Sequence, residues 1–495
     1  TLDIFARIKN KVVNEKKNNL WIKKEIMCFI NEKKKAFNNL KNNVIASKNK
    51  SLLTIYKIKK VACNIKVRQA KSQFYKKVIE DSYKNPKKLW SHLKTVLPNK
   101  NNDPKKDNLT TLLPNDFNSF FVNVAFKNNL TNINDVNKYL INVNNKSKFQ
   151  FNLNPSNVND VYKAIEKIKN KSSGFKGIPF KFIKIFQAEF TVSITNCINN
   201  DIANENFSQI LKTNVVKPLF KKGNKLELNN YRPVSNINNI SKIFEEIIYN
   251  QIYDYLENNN LLFDHQFGFR KKHNTKYCLI NILNEIHKNH EINNYCCCLF
   301  IDLTKAFDSI DHKILVHKLF NLNFSSSSVS FLNTYITKRN QFVSFKEKEF
   351  NMLQNKCGVP QGTKMGPLLF LIYINDIKNL NLNSKIFAFA DDITLICCSK
   401  DINSLTSNLN NDLNTLSNYF NCNKLNINIS KTKSMVLFNN FKIDLSLNND
   451  SIECINNFKL LGYHIDDKLT FNNLFKHIIN KLKIASGTLY ICRSF

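Results

Sequence analysis

The chain has 495 residues and a formal net charge of +35, because 73 Lys and Arg stand against 38 Asp and Glu. Hydrophobic residues make up 43% of it, which excludes wholesale disorder, and only 9 Gly and 10 Pro exclude collagen-like or linker-like sequences. A charge of this size predicts a polyanionic partner, and nucleic acid is the commonest one. The alternative is that an A/T-rich genome supplies part of the lysine without any function.

Residues 1–98 are predicted to form long basic helices, since Trp21, Ile26 and Phe37 recur at helical spacing between lysines. Residues 1–100 hold 26 Lys and Arg against 6 Asp and Glu, so +20 of the +35 lies in this fifth of the chain. Codon usage alone would spread the charge more evenly. The alternative interpretation is a solvated helical hairpin whose lysines only keep the protein soluble.

The remaining chain changes character along its length. Residues 99–115 are polar and are predicted to be a linker, and short amphipathic helices are predicted over 117–124 and 158–168. From about Lys212 onward strands and helices alternate, which is typical of α/β or α+β folds. The 13 cysteines form no CxxC pair and lie in apolar runs, which predicts a reducing, intracellular location. No apolar run approaches the ~20 residues that cross a bilayer, so no membrane association is expected.

The segment 386–396 carries the strongest local signal for chemistry. Two apolar, β-prone runs flank Asp391 and Asp392, which predicts a hairpin with carboxylates at its turn. Seen alone, an Asp-Asp pair is also an ordinary turn dipeptide. A second apolar run, Cys296 to Ile301, ends in Asp302 and predicts a buried strand that delivers another carboxylate.

Three carboxylates from two adjacent strands can hold two Mg²⁺ ions, since hard oxygen ligands select Mg²⁺. Such a pair of ions binds both the attacking and the leaving oxygens of an in-line phosphoryl displacement. The reaction class that these residues predict is nucleotidyl transfer.

Three blocks in this order resemble the reverse transcriptases of non-long-terminal-repeat retrotransposons, the LINE-type elements, and in particular the jockey group. Leu299–Asp308 resembles motif A, Gly358–Gly362 with Gly366–Phe370 resembles motif B, and Phe389–Asp392 resembles motif C. The resemblance implies an α+β, right-hand polymerase with fingers, palm and a partial thumb. It also implies that the chain copies an RNA template, expected to be the element's own transcript, from a DNA primer with deoxynucleoside triphosphates.

The resemblance assigns Asp302, Asp391 and Asp392 as catalytic ligands of two Mg²⁺ ions, with Mn²⁺ as an alternative metal. Phe307 aligns with the aromatic gate that excludes a 2′-hydroxyl, although an apolar residue there is equally explained as core. Lys431 resembles the lysine that protonates departing pyrophosphate. Asp308 and Asp311 fall outside the metal site and are expected to be helix N-terminal or surface acids.

The implied nucleotide contacts come from motif B, motif A and the fingers. Gln361 and Gly362 would contact the incoming nucleotide, beside Leu303 of motif A. Arg232 and Arg270 would hold its triphosphate, the alternative being ordinary surface arginines. Leu461 and Gly462 resemble the primer-grip turn, which would hold the primer end and not the incoming nucleotide.

The resemblance also divides the chain. It implies a basic RNA-binding connector over 1–98, an N-terminal extension of the fingers over 116–211, fingers and palm over 212–440, and a primer grip with partial thumb over 441–495. An endonuclease is expected to precede Thr1 in the parent protein, and the enzyme is expected in both nucleus and cytoplasm. The rival hypothesis is a catalytically silent or domesticated RNA-binding remnant. A telomerase-like polymerase is disfavoured, because the upstream segments match mobile elements.

Overall fold

The computed structural model describes residues 22–42, 50–82, 113–123, 133–140, 150–168, 173–175, 177–344 and 351–493. Trp21 and most of the predicted linker 99–115 lie outside the described residues. The chain divides into two compact units, residues 1–105 with 475–495, and residues 106–474.

The first unit contains two basic helices, α1 (Lys24–Asn42) and α2 (Lys50–Ser82), which confirms the helical prediction over these ranges. Phe37 of α1 packs on Tyr56 of α2 with ring centroids 5.6 Å apart, and Lys59 reaches Glu32 at 2.8 Å. A further helix, Asn472–Arg493, lies in the C-terminal part of the chain. None of the helices in the described ranges has the length and apolarity that crossing a membrane requires.

The second unit alternates helices and strands. Its described α-helices are α3 (Pro114–Asn123), α4 (Ile133–Asn137), α5 (Val158–Lys167), α6 (Phe180–Ile185), α7 (Gln187–Ala203), α8 (Asn239–Asn258), α9 (Thr275–Glu291), α10 (His312–Asn321), α11 (Ser326–Ile336), α12 (Met365–Ile374) and α13 (Ile402–Cys422). Its strands are β1 (Thr213–Phe220), β2 (Tyr231–Asn236), β3 (Tyr295–Ile301), β4 (Asn340–Val343), β5 (Leu353–Gln354), β6 (Lys385–Phe389), β7 (Asp392–Ser399), β8 (Lys433–Leu437), β9 (Leu445–Leu447), β10 (Asp450–Cys454), β11 (Asn457–Leu460) and β12 (Tyr463–Asp466).

The strands form three sheets. A four-stranded sheet has the order β2-β1-β4-β5, a six-stranded sheet has the order β6-β7-β3-β8-β10-β9, and β11 pairs with β12 alone. The six-stranded sheet mixes antiparallel pairs with one parallel pair, β8 with β10. This mixture of segregated helices and mainly antiparallel strands confirms the α+β prediction. The sheet continues through β9 and β10, beyond residue 440 where the palm was expected to end.

The six-stranded sheet is covered on both faces, because side chains alternate along each strand. Leu299 and Leu395 point to the face packed by α10, α12 and α13, within the larger hydrophobic core. Phe300 and Ile396 point to the opposite face, into a smaller core shared with α9 and with the β11–β12 hairpin. The cysteines whose side chains are described are free thiols, and Cys297 lies fully buried in this sheet.

Candidate active site

The predicted carboxylate hairpin is formed by β6 and β7, joined by the two-residue turn Ala390-Asp391. Phe389 pairs with Asp392 across this turn, so Asp391 lies at the tip of the hairpin and Asp392 begins β7. Ala390 has a φ of 59°, which is the left-handed region that residues other than glycine rarely adopt. Backbone strain of this kind often occurs at functional sites.

Strand register brings the third carboxylate to the same end of the sheet. Ile301 pairs with Ile393 in the antiparallel β3–β7 ladder, so the next position, Asp302, lies opposite Asp392. Cross-strand neighbours of this kind have Cβ atoms about 5 Å apart. The structure therefore brings Asp302, Asp391 and Asp392 together, as the sequence predicts.

The three carboxylates repel one another. Burial, followed by the negative charge of Asp302, raises the pKa of Asp391. Burial and the charges of Asp391 and Asp302 raise the pKa of Asp392 to about 6. Like charges crowded at one site favour a bound cation, because a cation removes the repulsion.

The three side chains at this end of the sheet offer carboxylate oxygens, which are hard ligands of the kind that divalent cations such as Mg²⁺ take. In the described ranges no three His, Cys, Asp or Glu side chains form a group that could hold a metal ion by themselves. Mg²⁺ is commonly bound by one or two carboxylates together with substrate phosphates, and it retains several waters. Asp302, with 35% of its side chain exposed, is accessible to such a ligand set.

Lys431 lies beside Asp302, with its Nζ 3.1 Å from Asp302 Oδ2. The segment 426–428 runs along the residues that follow β3, since Thr304 N–H donates to Asn426 O and Asn428 N–H donates to Asp302 O. The Lys431 side chain is 64% exposed, so it can leave this pair when substrate binds.

Arg232 is exposed on β2, and its positive charge favours the ionised forms of both Asp391 and Asp392, which opposes the rise in their pKa values. Lys221 is a further cation, which no sequence motif identifies. It directly follows β1, and its backbone N–H donates to Asn230 O. Desolvation and the charges of Arg232 and Lys431 lower the pKa of Lys221. Cations grouped next to the carboxylates form a site for a polyanion. In the sequence, Lys221 is marked only by its position directly after a strand.

Arg270 differs from what the resemblance implies. Only 10% of its side chain is exposed, and its Nε and Nη2 donate to the two carboxylate oxygens of Glu257 at 2.9 and 2.8 Å. Its Nη1 donates to the carbonyls of Phe263 and Gln266. All of these partners lie within the protein. Arg270 is therefore not a surface arginine, and its guanidinium pairs with Glu257 and not with the three catalytic aspartates.

Gln361 is held by Asp308, which is a correction to the expectation for that acid. Gln361 Nε2 donates to Asp308 Oδ1 at 2.7 Å, and burial raises the pKa of Asp308 to about 6. Asp311 instead caps α10 and pairs with Lys424, as expected for a helix N-terminal acid. Gly362 has a φ of 91°, so it is required for the backbone path of the loop.

The start of α12, which follows the Gln361 loop, is capped from outside. The fully buried Glu245 of α8 accepts hydrogen bonds from the backbone N–H groups of Lys364 and Met365 and from the Tyr335 hydroxyl. Burial raises the pKa of Glu245. The sequence does not identify this residue, because nothing in the pattern of α8 shows that Glu245, rather than the neighbouring Glu246, faces the N-terminus of another helix.

Phe307 stacks on Phe370 at 4.7 Å and lies edge-on to Phe269 at 6.2 Å. It is half-buried, so part of its ring remains accessible. Leu303 is buried, and its backbone bridges to Ile427, so any nucleotide contact there is made by backbone.

The predicted primer-grip residues form the turn of the β11–β12 hairpin. Leu461 and Gly462 have φ values of 50° and 93°, and Leu460 pairs with Tyr463 across them. Phe458 of β11 stacks on Phe300 of β3 with ring centroids 4.0 Å apart. The hairpin therefore packs against the strand that leads to Asp302.

The chain is similar to known reverse transcriptases. Residues 219–465 match the family model described as reverse transcriptase (RNA-dependent DNA polymerase). The probable RNA-directed DNA polymerase from transposon BS of Drosophila melanogaster is 29% identical over 252 residues, 49% of this chain and 28% of that protein. The RNA-directed DNA polymerase from mobile element jockey of the same species is 27% identical over 263 residues, 51% of this chain and 28% of that protein.

The chain thus spans less than a third of the length of these curated relatives. Among solved structures, an apo telomerase from Candida tropicalis covers 54% of this chain and 55% of its own at 14% identity, with a TM-score of 0.36, which is too low to carry fold evidence. The family match includes β2, the strand before Asp302, the Gln361 loop and the Asp391 turn. The chain therefore belongs to the reverse transcriptase family, in its non-LTR, LINE-type branch, with the α+β right-hand polymerase fold.

Proposed function

We propose that the chain is an RNA-directed DNA polymerase, which extends a primer 3′-hydroxyl with deoxynucleoside triphosphates on an RNA template. The observation that carries the proposal is the register of β3 with β7, because it aligns Asp302 with Asp392 beside Asp391. The cations Arg232, Lys221 and Lys431 act on the same carboxylates. This combination suits a reaction between a triphosphate and a hydroxyl.

In the proposed reaction, Asp302, Asp391 and Asp392 would hold two Mg²⁺ or Mn²⁺ ions, which lower the pKa of the 3′-hydroxyl and neutralise charge on the phosphates. Arg232 and Lys221 hold the triphosphate through charge-assisted hydrogen bonds. Lys431 leaves Asp302 and donates a proton to the departing pyrophosphate. Phe307 closes the space that a 2′-hydroxyl would need, and the Gln361 amide contacts the incoming nucleotide without reading its sequence.

The basic helices α1 and α2 supply a proposed RNA-binding surface. Exposed lysines lie along both helices, and Lys60 Nζ is 5.9 Å from the centroid of the Tyr56 ring. Lysines bind phosphates without sequence preference, and accessible rings stack on unpaired bases. We further propose that the template is the element's own transcript, that the primer is a nicked chromosomal end, and that the protein works in nucleus and cytoplasm.

Primer extension by the purified chain tests the proposal. With Mg²⁺, a primed RNA template and four deoxynucleoside triphosphates, the wild-type chain is expected to lengthen the primer. Asp391→Asn is expected to abolish extension and to leave RNA binding intact, because the phosphate contacts come from Lys and Arg. Asp450→Asn, at an exposed position of β10, is the matched control and keeps full activity. RNA binding without extension above that of Asp391→Asn would instead favour the catalytically silent or domesticated remnant.

The gate assignment predicts a change in sugar selection. Phe307→Ala removes the ring that stacks on Phe370, so ribonucleotides are expected to be incorporated with a much higher relative kcat/KM. Phe441→Ala, a half-buried aromatic residue that packs on Tyr295, is the control and leaves sugar selection unchanged. If Phe307→Ala still excludes ribonucleotides as the wild type does, Phe307 is a core residue and not the gate.

A further inference from the structure

The strained turn at Ala390 is held from outside the hairpin. A φ of 59° is unfavourable for a residue with a Cβ atom, relative to the right-handed region. Such a conformation persists when surrounding contacts determine it. The carboxylate of Asp391 follows directly, so the orientation of the Ala390 peptide sets the direction in which Asp391 leaves the turn.

The contacts come from the side chain of Gln266, which is 4% exposed. Its Oε1 accepts hydrogen bonds from the backbone N–H groups of Ala390 at 2.8 Å and Gly268 at 2.9 Å. Its Nε2 donates to the Ala390 carbonyl at 3.3 Å. One buried amide thus pairs with both backbone groups of Ala390, which we call the Gln266 clamp.

The backbone around Gln266 reinforces the clamp. His265 O accepts from Ala388 N–H and Phe267 N–H donates to Ala388 O, so the segment lies against β6 through an isolated parallel β-bridge. Gly268 approaches so closely that a Cβ atom there would lie 2.2 Å from Ala390 N. β6 is the edge of the six-stranded sheet, so this segment covers the edge next to the catalytic turn.

We propose that Gln266 is a positioning residue for the reaction, which acts by fixing the Ala390 peptide and thereby the carboxylate of Asp391 relative to Asp302. Gln266 does not touch substrate in this role. Misplacement of a reacting group by about 1 Å can cost on the order of 100-fold in rate. The kinetic part of this inference rests on the proposed polymerase function.

A matched control exists in the same unit. Gln251 of α8 makes the same kind of amide-to-backbone pair with Asn154, in which Oε1 accepts from N–H at 2.9 Å and Nε2 donates to the carbonyl at 3.0 Å. Gln251→Met and Gln266→Met each remove one such pair and retain side-chain length. The Gln251 pair is exposed, whereas Gln266 is buried and also accepts from Gly268 N–H, so Gln266→Met is expected to cost more stability. A merely structural role predicts that neither variant changes the Mg²⁺ dependence of the folded enzyme.

Primer extension on a primed RNA template separates the two roles. Gln266→Met is expected to lower kcat about 10- to 100-fold, to leave KM for deoxynucleotides nearly unchanged, and to raise the Mg²⁺ concentration needed for half-maximal rate. Gln251→Met is expected to leave all three quantities at their wild-type values. If both variants keep wild-type kcat and Mg²⁺ dependence, whatever stability each loses, Gln266 is structural and the proposal is wrong.

Hydrogen exchange provides a test that does not need polymerase activity. In the wild-type chain the Ala390 N–H is expected to exchange slowly although it lies in a turn, and Gln266→Met is expected to speed its exchange while Gln251→Met does not. Rapid Ala390 exchange in the wild type overturns the clamp even if Gln266→Met fails to fold. Slow exchange in a chain that never extends a primer would contradict the proposed function and leave the clamp in place.

Discussion

The β6–β7 and β11–β12 hairpins both close with two-residue turns in which a residue with a side chain has positive φ, Ala390 at 59° and Leu461 at 50°. The surroundings of the two turns differ. Gln266 and the backbone of Gly268 enclose the first turn, whereas a Cβ atom added at Gly462 of the second would meet no described atom within 4 Å.

This difference separates two ways of holding a hairpin. The β6–β7 turn presents a carboxylate, and it is held at its tip by hydrogen bonds and close backbone contact. The β11–β12 hairpin is held by apolar packing along its length, since Phe458 stacks on Phe300, Leu460 and Ile465 are buried, and Leu461 of the turn packs against the same core. Gly462 of its turn is exposed, and a primer strand could approach the backbone there.

Gly268→Ala is expected to have the largest effect of the changes that test this comparison. A Cβ atom added at Gly268 would lie 2.2 Å from Ala390 N. The Cβ atom is attached directly to backbone and the atom that it meets is also backbone, so the clash cannot be relieved without moving the Asp391 turn. We expect a loss of about 3 kcal/mol in the free energy of unfolding, measured by urea denaturation. The remaining folded protein is expected to lose primer extension, and normal stability with normal activity would show that the contact is not tight.

Phe458→Ala tests the packing of the β11–β12 hairpin on β3 and is expected to have a smaller effect. It removes a half-buried ring stacked on Phe300, which costs about 2 kcal/mol of stability. KM for the primed template is expected to rise more than kcat falls, because the hairpin would no longer lie in a fixed position next to β3.

The control for this variant is Phe438→Ala, which removes a ring of the same core that stacks on His290 at 3.9 Å. We expect a comparable loss of stability and no change in KM for the primed template. Equal rises of KM in both variants would show that core stability, and not the hairpin's position, sets primer affinity.

The sequence predicts the strands that carry the carboxylates because their signal is local. Apolar, β-prone residues run without interruption from Cys296 to Ile301 and on both sides of Asp391-Asp392, and each run becomes a strand. The motif resemblance then implies that Asp302, Asp391 and Asp392 belong to one site. The carboxylate cluster could be predicted for these two reasons.

Partners that lie on other elements could not be predicted in this way. Arg270 looks like a triphosphate ligand in the sequence, but it pairs with Glu257 of α8, and nothing in the pattern of α8 distinguishes that glutamate. Asp308 and Asp311 are three residues apart and look alike, yet Asp308 accepts from Gln361 while Asp311 caps α10. In each case the role depends on which side chain the fold brings opposite, which is decided by tertiary packing.

Gly462→Ala is expected to have the smallest effect on stability, because only the backbone conformation opposes it. A φ of 93° is unfavourable for alanine, whereas the new Cβ atom meets no described neighbour, so we expect a loss of about 1 kcal/mol in the free energy of unfolding. The informative quantity is the affinity for the primed template, measured in parallel. A loss of affinity larger than the loss of stability would mean that a bound strand occupies the space next to Gly462. Unchanged affinity would mean that the accessible turn does not contact the primer, and the primer grip would then have to be sought on other residues.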